Sequence, residues 1–504
     1  MLACLPTLVL AVCAQAADVA PISVHPENPR YFLFRGKPLV LVAGSEHYGA
    51  VVNRLFDFDR YLRDAAERKQ TVTRTFLLFR EQQGARNPSS PIKPESPEFV
   101  APWPRTGPGG ALDGEPRYDL DRWNPEYFDR LHRFLSRASE LGIVVELTIF
   151  SNTYTDSVWM LNPLRAQNNL QGVGKVEWPE YNTLRDKELV ERQLAYARKV
   201  VQETSAFDNV YYEICNEPGG AVPGHATQAE VDAWQAEVGR TVRDELKSLG
   251  RRHLVVGAQA FSYVPSVTIP LDASFPDPTY DAVNVHPLPD THLGGRVFQM
   301  GNFMSKELKL AEMRDFGQAV HAIGLKPCVM DEDNCASMYR DDVGWTIHRK
   351  RAWTSVMTGC HYDFIDFSIQ IGAETGVAGS GPKIRAWMGN LSDFIHGFDF
   401  IHAAPAPGWI EEKPDHLVVS TLAVEGRDYA AYLADAREVA EPGAGEPVGG
   451  PISFTLPDGS YGLSLYSPTT GASSPAIPVE GGRKTTIALP PFRHDVVVRV
   501  VRVP

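Results

Sequence analysis

Residues 209–218 read Asn-Val-Tyr-Tyr-Glu-Ile-Cys-Asn-Glu-Pro. The β-branched, aromatic and other apolar residues of this run predict a short buried strand, which Pro218 ends because proline has no N–H for a strand ladder. The strand leaves the carboxyl group of Glu217 at its C-terminal end, beside the amide of Asn216. In a barrel of parallel strands, active sites lie at that end. Glu213 lies on the same side of the strand as Glu217, so we expect it to point inward and to need a partner.

Seven other apolar runs have the length and composition of buried strands. With the first, the eight predicted strands cover residues 39–43, 71–79, 142–150, 209–215, 253–260, 280–286, 326–330 and 362–369. Amphipathic stretches with helical spacing lie between them, for example at 124–140 and 187–201. This alternation predicts an α/β fold, a (β/α)8 TIM barrel. An open doubly wound sheet is the alternative, but no glycine-rich phosphate loop follows the first strand.

The rest of the chain divides into recognisable segments. Residues 1–16 are apolar and end in Ala-Gln-Ala, which predicts a signal peptide and a secreted or periplasmic protein. The barrel, with an N-terminal hairpin at 31–43, is assigned to 17–400. The loop 80–123 is long and rich in proline and glycine, and we expect it to form a wall of the active site. Short strands with turn signals over 401–504 predict a small C-terminal antiparallel β-sandwich.

Composition excludes several classes of function. The chain of 504 residues is 43% hydrophobic and 22% charged, typical of a soluble globular protein. Its 49 basic and 62 acidic residues give a formal charge of −13, which disfavours nucleic acid and anionic membrane surfaces as partners. After the signal, no apolar run is long enough to span a membrane. A neutral or weakly charged substrate is therefore expected, and the sequence does not indicate an oligomeric state.

A second strand ends in carboxyl groups. Residues 326–334 read Lys-Pro-Cys-Val-Met-Asp-Glu-Asp-Asn, so that Asp331, Glu332 and Asp333 follow a short apolar run. Cleavage of a glycosidic bond with retention needs two carboxyls about 5 Å apart, one to attack the anomeric carbon and one to protonate the leaving oxygen. Strands from different parts of a barrel can bring Glu217 to that distance from one of these acids.

At this point the sequence resembles the retaining glycoside hydrolases of clan A, in particular the family-five cellulase-like proteins. The motifs that carry the resemblance are Asp-Leu-Asp-Arg-Trp-Asn at 119–124, Leu-Gly-Ile-Val-Val-Glu-Leu at 141–147 and Tyr-Glu-Ile-Cys-Asn-Glu-Pro at 212–218. The resemblance implies that Glu217 is the acid/base and Glu332 the nucleophile. It also implies that Asn216 contacts a sugar hydroxyl, that Arg74 steadies the nucleophile and that His286 lines the site.

Other residues are weaker candidates for substrate binding. Glu46 and His47 follow the first strand and are expected to line the same pocket, and Trp103, with Trp159 and Tyr154, could stack on sugar rings or simply pack in the core. Three family features are missing: a tyrosine after His286, an Asp and His at the end of strand three, and a tryptophan on strand eight. We therefore expect an oligosaccharide or polysaccharide substrate without assuming cellulose.

Two other functions stay open. One is a non-catalytic carbohydrate-binding barrel, and the other is a metal-dependent hydrolase using His286, Asp331 and Asp333. The metal alternative is weakened because no HxH or HExxH spacing is present, and we expect neither a metal nor another cofactor. Four cysteines remain after the signal, without a CxxC pair, and are expected to be buried and reduced; pairing of Cys328 with Cys360 is left open.

Overall fold

The computed structural model describes residues 20–81, 96–219, 224–258, 269–376 and 381–503. The predicted signal peptide at 1–16 lies outside these residues, so its prediction stays untested. None of the helices in the described ranges combines the length and the apolar character that a membrane span requires.

In the described part of the chain, strands and helices alternate up to about residue 400, and strands alone follow. The strands are β1 (Ser23–Val24), β2 (Phe32–Phe34), β3 (Lys37–Leu39), β4 (Val42–Ser45), β5 (Val72–Phe76), β6 (Arg105–Gly110), β7 (Pro116–Tyr118), β8 (Val144–Ser151), β9 (Val210–Asn216), β10 (Val255–Ala258), β11 (Ile269–Pro270), β12 (Ala282–Val285), β13 (Thr291–Leu293), β14 (Arg296–Phe298), β15 (Cys328–Asp333), β16 (His361–Ile365), β17 (Ile410–Glu412), β18 (Leu417–Val424), β19 (Asp428–Asp435), β20 (Val448–Thr455), β21 (Ser460–Tyr466), β22 (Ile477–Glu480), β23 (Lys484–Phe492) and β24 (Asp495–Arg502). The helices are α1 (Gly49–Val52), α2 (Phe58–Glu67), α3 (Pro125–Glu140), α4 (Asp156–Trp159), α5 (Lys187–Thr204), α6 (Gln228–Ser248), α7 (Leu310–Ile323), α8 (Asp342–Val356) and α9 (Gly381–His396).

Eight parallel strands form the barrel in the order β4-β16-β15-β12-β10-β9-β8-β5. The ring closes between β4 and β5, where the Thr71 amide donates to the Val42 carbonyl at 3.1 Å and the Phe76 amide to the His47 carbonyl at 2.8 Å. Each of the eight strands overlaps one apolar run predicted from the sequence. The predicted (β/α)8 barrel is confirmed.

Local sequence signals set the helix ends. The Asn124 side chain accepts a hydrogen bond from the Glu126 amide at the start of α3, and Pro125 occupies the first turn, where its missing N–H costs nothing. The longest helix, α6, begins with a reciprocal capping box between Thr227 and Glu230. These caps satisfy the free N–H groups at the helix starts and fix where each helix begins on the barrel.

The interior of the barrel changes from apolar to ionic along its axis. At one end, Val72, Val144, Tyr211 and Val329 pack in a single apolar cluster with Phe32 of the N-terminal hairpin. Two residues further along the same strands come charged residues, which begin with Arg74 on β5 and Glu146 on β8. The hairpin therefore covers the apolar end, and the polar layers lie towards the C-terminal ends of the strands.

The C-terminal strands form two antiparallel sheets, a five-stranded sheet in the order β18-β19-β24-β21-β22 and a three-stranded sheet in the order β17-β20-β23. A hydrophobic cluster lies between the two sheets. This confirms the predicted sandwich. The five-stranded sheet also packs on the barrel, where Tyr432 stacks on Trp353 of α8 with ring centroids 5.4 Å apart. A buried ion pair crosses the same interface, from Arg349 to Asp495 at 2.8 and 3.1 Å.

The loop expected at 80–123 is only partly described. Residues 82–95 fall outside the described ranges, and residues 105–118 form the β6-β7 hairpin. Asp113 in this hairpin lies against two cations, Arg80 at 2.8 Å and Arg105. These ion pairs fold the second half of the loop back onto the end of β5, but its role as a wall of the active site stays a prediction.

The buried ion pair between barrel and sandwich gives a test of their packing. The Asp495→Ala variant should lower the free energy of unfolding by about 3 to 5 kcal/mol, because it leaves the Arg349 guanidinium buried without a partner. Urea unfolding followed by tryptophan fluorescence measures the change. Lys484→Ala, which removes an exposed partner of Glu412, is the matched control and should cost no more than about 1 kcal/mol. Equal effects in the two variants would contradict this account.

Candidate active site

Glu217 and Glu332 lie together at the C-terminal rim of the barrel. One carboxylate oxygen of each lies within 4.8 Å of the other and of a ring nitrogen of His286. Both side chains are nearly buried, with 7% of Glu217 and 4% of Glu332 exposed. The structure therefore brings together the two carboxyls that the sequence singled out.

The backbone at both glutamates is strained. Glu217 has φ 41° and Glu332 has φ 50°, in the left-handed region that L residues other than glycine seldom adopt. Such a conformation costs of order 1–3 kcal/mol and persists only where surrounding contacts impose it, most often at functional sites. At Glu332 the pairing of β15 with β16 also shifts register, between Met330 and Asp333.

This bulge decides which acids of β15 face the site. Asp331 points into the barrel, where it lies 3.0 Å from Arg74, and Asp333 points outward, where it pairs with Arg351 at 2.6 Å. Strict alternation would turn Glu332 outward and would place Asp333 inward, on the same side as Asp331. The extra residue in the bulge turns the Glu332 side chain back into the barrel mouth.

Arg74 on β5 binds carboxyl groups of two other strands, β9 and β15. Its guanidinium donates to both Glu213 oxygens at 2.7–3.0 Å, to the Asn216 side-chain oxygen at 2.8 Å, and to Glu332. It is fully buried. A planar guanidinium with five N–H groups is suited to hold several carboxylates in fixed directions. Glu213 thus has the inward partner that the sequence required.

The charges around Glu332 keep it ionised. Burial opposes ionisation, but Arg74, His286 and His47 together lower the pKa of Glu332 to about 2. His47 lies 3.0 Å from Asp363 and 3.8 Å from Glu332; burial opposes its protonation, but these acids raise its pKa to about 10. Glu332 is therefore an anion flanked by cations at neutral pH.

Glu217 lies in a different environment. Its carboxyl accepts a hydrogen bond from the Tyr154 hydroxyl at 2.6 Å and lies 2.9 Å from the Nδ1 atom of His286. Burial disfavours charge on His286, but the charge of Glu332 and the hydrogen bond to Glu217 raise its pKa to about 9. The Asn216 amide donates to the same tyrosine hydroxyl at 2.6 Å. Glu217 is thus held by hydrogen bonds, without a guanidinium on either oxygen among the described contacts.

A second set of carboxyls lies below the pair. Oxygens of Glu146, Glu213 and Asp331 lie within 4.8 Å of one another, and Tyr211 donates to Glu146 at 2.5 Å. Burial, together with the charges of Asp331 and Glu213, raises the pKa of Glu146 well above its ordinary value. The Asn284 amide nitrogen lies within hydrogen-bond distance of all three carboxyls and has two N–H groups to share among them. Arg74 contacts Glu213 and Asp331, and burial raises the pKa of Asp331 to about 6 although Arg74 opposes the rise.

The donor chemistry of the site fits a metal ion poorly. Among the residues that the structure describes, three groups of possible ligands are close enough to converge, and they are His47 with Asp331 and Asp363, Glu217 with His286 and Glu332, and the three carboxyls below them. Metal ligation needs neutral imidazole, whereas both histidines have raised pKa values, and Arg74 already contacts the acids. Asp333, required by the metal-dependent alternative, is paired with Arg351 instead.

Comparison with known proteins finds relatives only among solved structures, since no family profile and no curated sequence matches the chain. A structure described as "Glycoside hydrolase" has 12% identity and a TM-score of 0.59 over 96% of this chain and 97% of its own. A family 5 glycoside hydrolase from Bacteroides vulgatus has 14% identity and a TM-score of 0.59, over 96% and 92%. The endo-1,4-beta-mannanase from Rhizomucor miehei has 14% identity and a TM-score of 0.52, over 75% and 100%.

The chain shares the fold of these glycoside hydrolases. At such identities the likeness concerns the fold, and at that level the resemblance to family-five proteins inferred from the sequence is confirmed. The identification of the site residues depends on the distances and contacts given above and not on these comparisons.

Two predicted substrate-binding residues lie elsewhere. Trp103 is 1% exposed and packs in the core, stacked on Trp123 at 5.8 Å and against Tyr196 of α5. Its rings are engaged among the outer helices, so the prediction that it binds sugar is wrong. Trp159 is likewise buried, with its indole N–H donated to the Val176 carbonyl at 3.0 Å.

Glu46 has a positioning role. Its carboxyl accepts hydrogen bonds from the backbone amides of Tyr48 and Gly49 at 2.9–3.1 Å, and burial raises its pKa to about 7 although these bonds oppose the rise. The carboxyl holds the turn that carries His47. Contact with substrate, predicted for Glu46, is therefore corrected to support of the neighbouring histidine.

Three residues that contribute to the site were not identified from the sequence. Asp363 on β16 pairs with His47, and Glu146 belongs to the lower set of carboxyls. Tyr48 lies near both glutamates of the site, and burial together with their charges holds its pKa well above the ordinary value. Glu146 could have been found from the sequence, because it is the one acid in an otherwise uncharged buried strand and therefore needs a polar partner inside the barrel. Tyr154 was considered only for stacking, and its hydrogen bond to Glu217 depends on a loop conformation with φ 52° that sequence does not indicate.

The lowered pKa of Glu332 predicts a pH-dependent contribution to stability. Because the folded pKa of about 2 lies below the ordinary 4.5, ionised Glu332 stabilises the fold above about pH 4.5, and this contribution is lost as the pH falls towards 2. The difference in unfolding free energy between wild type and Glu332→Gln should therefore shrink over that range, as measured by urea unfolding at each pH. A difference that stays constant from pH 6 to pH 3 would refute the ion-pair account.

Proposed function

We propose that this chain is a retaining glycoside hydrolase that cleaves β-glycosidic bonds of an oligosaccharide or polysaccharide. The observation that carries the proposal is the separation of the Glu217 and Glu332 oxygens, within 4.8 Å. Retaining enzymes place their two carboxyls about 5–5.5 Å apart, whereas inverting enzymes need about 6.5–9.5 Å to admit a water molecule between carboxyl and sugar. The pair therefore fits a double displacement.

Glu332 is the nucleophile in this scheme. Its ionised state, held by Arg74 and His47, leaves an oxygen able to attack the anomeric carbon at neutral pH. The strained backbone and the bulge at Glu332 fix the direction of attack. Asp331 and Asp333 are tied to Arg74 and Arg351, which leaves neither of them the same access to the barrel mouth.

Glu217 is the acid/base. Its two oxygens contact the Tyr154 hydroxyl and the His286 ring, groups that can orient the carboxyl whether or not it carries a proton. It is also the more exposed of the two glutamates. This suits an acid/base, which exchanges protons first with the leaving oxygen and then with water.

The reaction then proceeds in two steps. In the first, a Glu332 oxygen bonds to the anomeric carbon while the bond to the leaving oxygen breaks, and Glu217 gives that oxygen its proton. In the second, the Glu217 carboxylate takes a proton from water, and the resulting hydroxide displaces Glu332 from the sugar. The product keeps the anomeric configuration of the substrate, and both glutamates return to their starting states.

The substrate is proposed to be uncharged, in keeping with the net charge of −13. Because one structural neighbour is named an endo-1,4-beta-mannanase, β-mannan belongs with other plant and microbial polysaccharides in a screen of released reducing sugar. Export of the chain, inferred from residues 1–16, would place it where such polymers occur. Tyr154 and Asn216 face each other at the acid/base, where they would meet the sugar bound by the nucleophile.

Replacement of the nucleophile tests the proposal. Glu332→Ala should reduce kcat by at least about 10⁴-fold on the best substrate of the screen, because covalent attack is lost while the fold remains. The control is Glu188→Gln, an exposed glutamate of α5, which should keep the wild-type rate. Near wild-type turnover by Glu332→Ala removes this residue from the scheme. A first product with inverted configuration by NMR would overturn the double displacement.

Replacement of the acid/base gives a different signature. Glu217→Ala should lower the rate by about 10²- to 10⁴-fold on substrates with poor leaving groups, and far less on activated aryl glycosides, which depart without a proton. Steady-state kinetics on both classes measures the difference. An equal loss on the two classes contradicts the acid role. Saturable glycan binding with no release of sugar by the wild type would instead support the non-catalytic carbohydrate-binding alternative.

A further inference from the structure

A second cavity lies outside the ring of barrel strands, between helices α8 and α9 and the sandwich. Its volume is about 370 Å³, within the range of about 300–1,000 Å³ typical of small-molecule sites, which often lie between domains. Apolar side chains such as Ile347 and the indole of Trp387 form part of its wall. The glutamate pair lies at the barrel mouth and contributes nothing to this cavity.

The charged residues of the cavity are mostly cations, in a chain whose net charge is negative. Arg349, Lys350, Lys383 and Arg437 line it, and the only acid among the lining residues is Asp342. Arg349 and Lys383 lie over the ring of Trp387, with the cation 4.2 and 5.6 Å from the ring centroid. The cavity is therefore a local cationic site on an acidic protein.

Three of these four cations already have carboxylate partners. Arg349 pairs with Asp495 at 2.8 Å, Arg437 pairs with Asp435 at 2.8 Å, and Lys383 pairs with Asp342 at 2.8 Å. Each of these pairs is close to neutral as a unit. They leave no net charge for a ligand to neutralise.

Lys350 is different. Only 3% of the residue is exposed, and its Nζ donates one hydrogen bond, at 2.6 Å, to the backbone carbonyl of Asp435. Within the described ranges it forms no ion pair with a carboxylate. An ammonium group has three N–H donors, and a buried charge without an anionic partner is costly. The uncompensated charge of the cavity is thus concentrated on one atom.

We propose that this cavity binds a small organic anion whose carboxylate pairs with Lys350. A single unpaired positive charge matches a monoanion better than a dianionic phosphate. The apolar wall of Trp387 and Ile347 favours a ligand with a ring or chain behind the carboxylate over an inorganic ion. A uronic acid, which carries a carboxylate on a pyranose ring, has this chemistry and a size that the volume admits.

Isothermal titration calorimetry on the full chain tests the proposal with glucuronate as the probe. Glucuronate should bind at millimolar or lower concentration, and glucose, which has the same ring without the carboxylate, should not bind at this site. Lys350→Met keeps the length of the side chain and removes the charge, and should weaken glucuronate binding by about 30-fold or more. Lys484→Met, at an exposed lysine of β23 that pairs with Glu412 and does not line the cavity, is the matched control and should change the affinity by less than about threefold.

The pH dependence gives a second measurement on the wild type, should Lys350→Met not fold. Burial lowers the pKa of Lys350 to about 8, although Asp495 and Asp435 act against the fall. Affinity for glucuronate should therefore decrease about tenfold per pH unit above pH 8. The other groups facing Lys350 are Arg349, Arg437 and His494. Carboxyl and guanidinium groups ordinarily keep their charge over this range, and the pKa of His494 is lowered by burial and by the neighbouring cations.

Three results would overturn the proposal. The first is the absence of heat on titration with millimolar glucuronate. The second is equal affinity in wild type and folded Lys350→Met, or affinity that does not change between pH 7 and pH 10. The third is tighter binding of inorganic phosphate than of glucuronate, which would make the cavity a site for an inorganic anion.

Discussion

The buried guanidinium of Arg74 is the interaction on which the site depends. It joins strands β5, β9 and β15 through Glu213, Asn216, Asp331 and Glu332 at mid-depth in the barrel. Without a cation here, burial and mutual repulsion would disfavour the ionised forms of Glu213, Asp331 and Glu332. With it, the pKa of Glu332 is lowered to about 2, whereas burial holds the pKa of Glu146 well above its ordinary value. One side chain thus sets both the geometry and the charge state of the candidate site.

Backbone strain at the rim depends on the same contacts. Glu217 and Glu332 both adopt positive φ, and β15 is bulged beside the second. Ordinary strand geometry would have been less costly, so the network around Arg74, His47 and His286 must offset the difference. Natural chains break local rules chiefly at functional sites, and here two departures from regular strand geometry coincide with the two carboxyls that the chemistry requires.

The C-terminal sandwich is part of the same folded body. Its five-stranded sheet packs on α8 through Tyr432 and Trp353, and the ion pair of Arg349 with Asp495 is buried between them. The interface is imperfectly filled, however, and the remaining cavity carries the unpaired charge of Lys350. Catalysis and ligand binding at this interface would occupy separate parts of the molecule, which allows each to be tested without disturbing the other.

Local patterns in the sequence were sufficient to predict the eight strands, the order of barrel and sandwich, and the position of Glu217 after β9, because strand length, hydrophobic runs and proline are local signals. The sequence also suggested Glu332, but strand alternation alone could not choose among three consecutive acids. The bulge in β15 turns Glu332 into the barrel mouth. Trp103 packs against Tyr196 of α5, and Glu46 accepts hydrogen bonds in the turn at the start of α1, so neither is placed to bind substrate. The bulge and the packing of Trp103 depend on contacts between residues far apart in the chain, and the Glu46 carboxyl binds amides two and three residues away in a turn whose conformation the residue pattern does not indicate. These features therefore follow from the folded structure and not from local sequence signals.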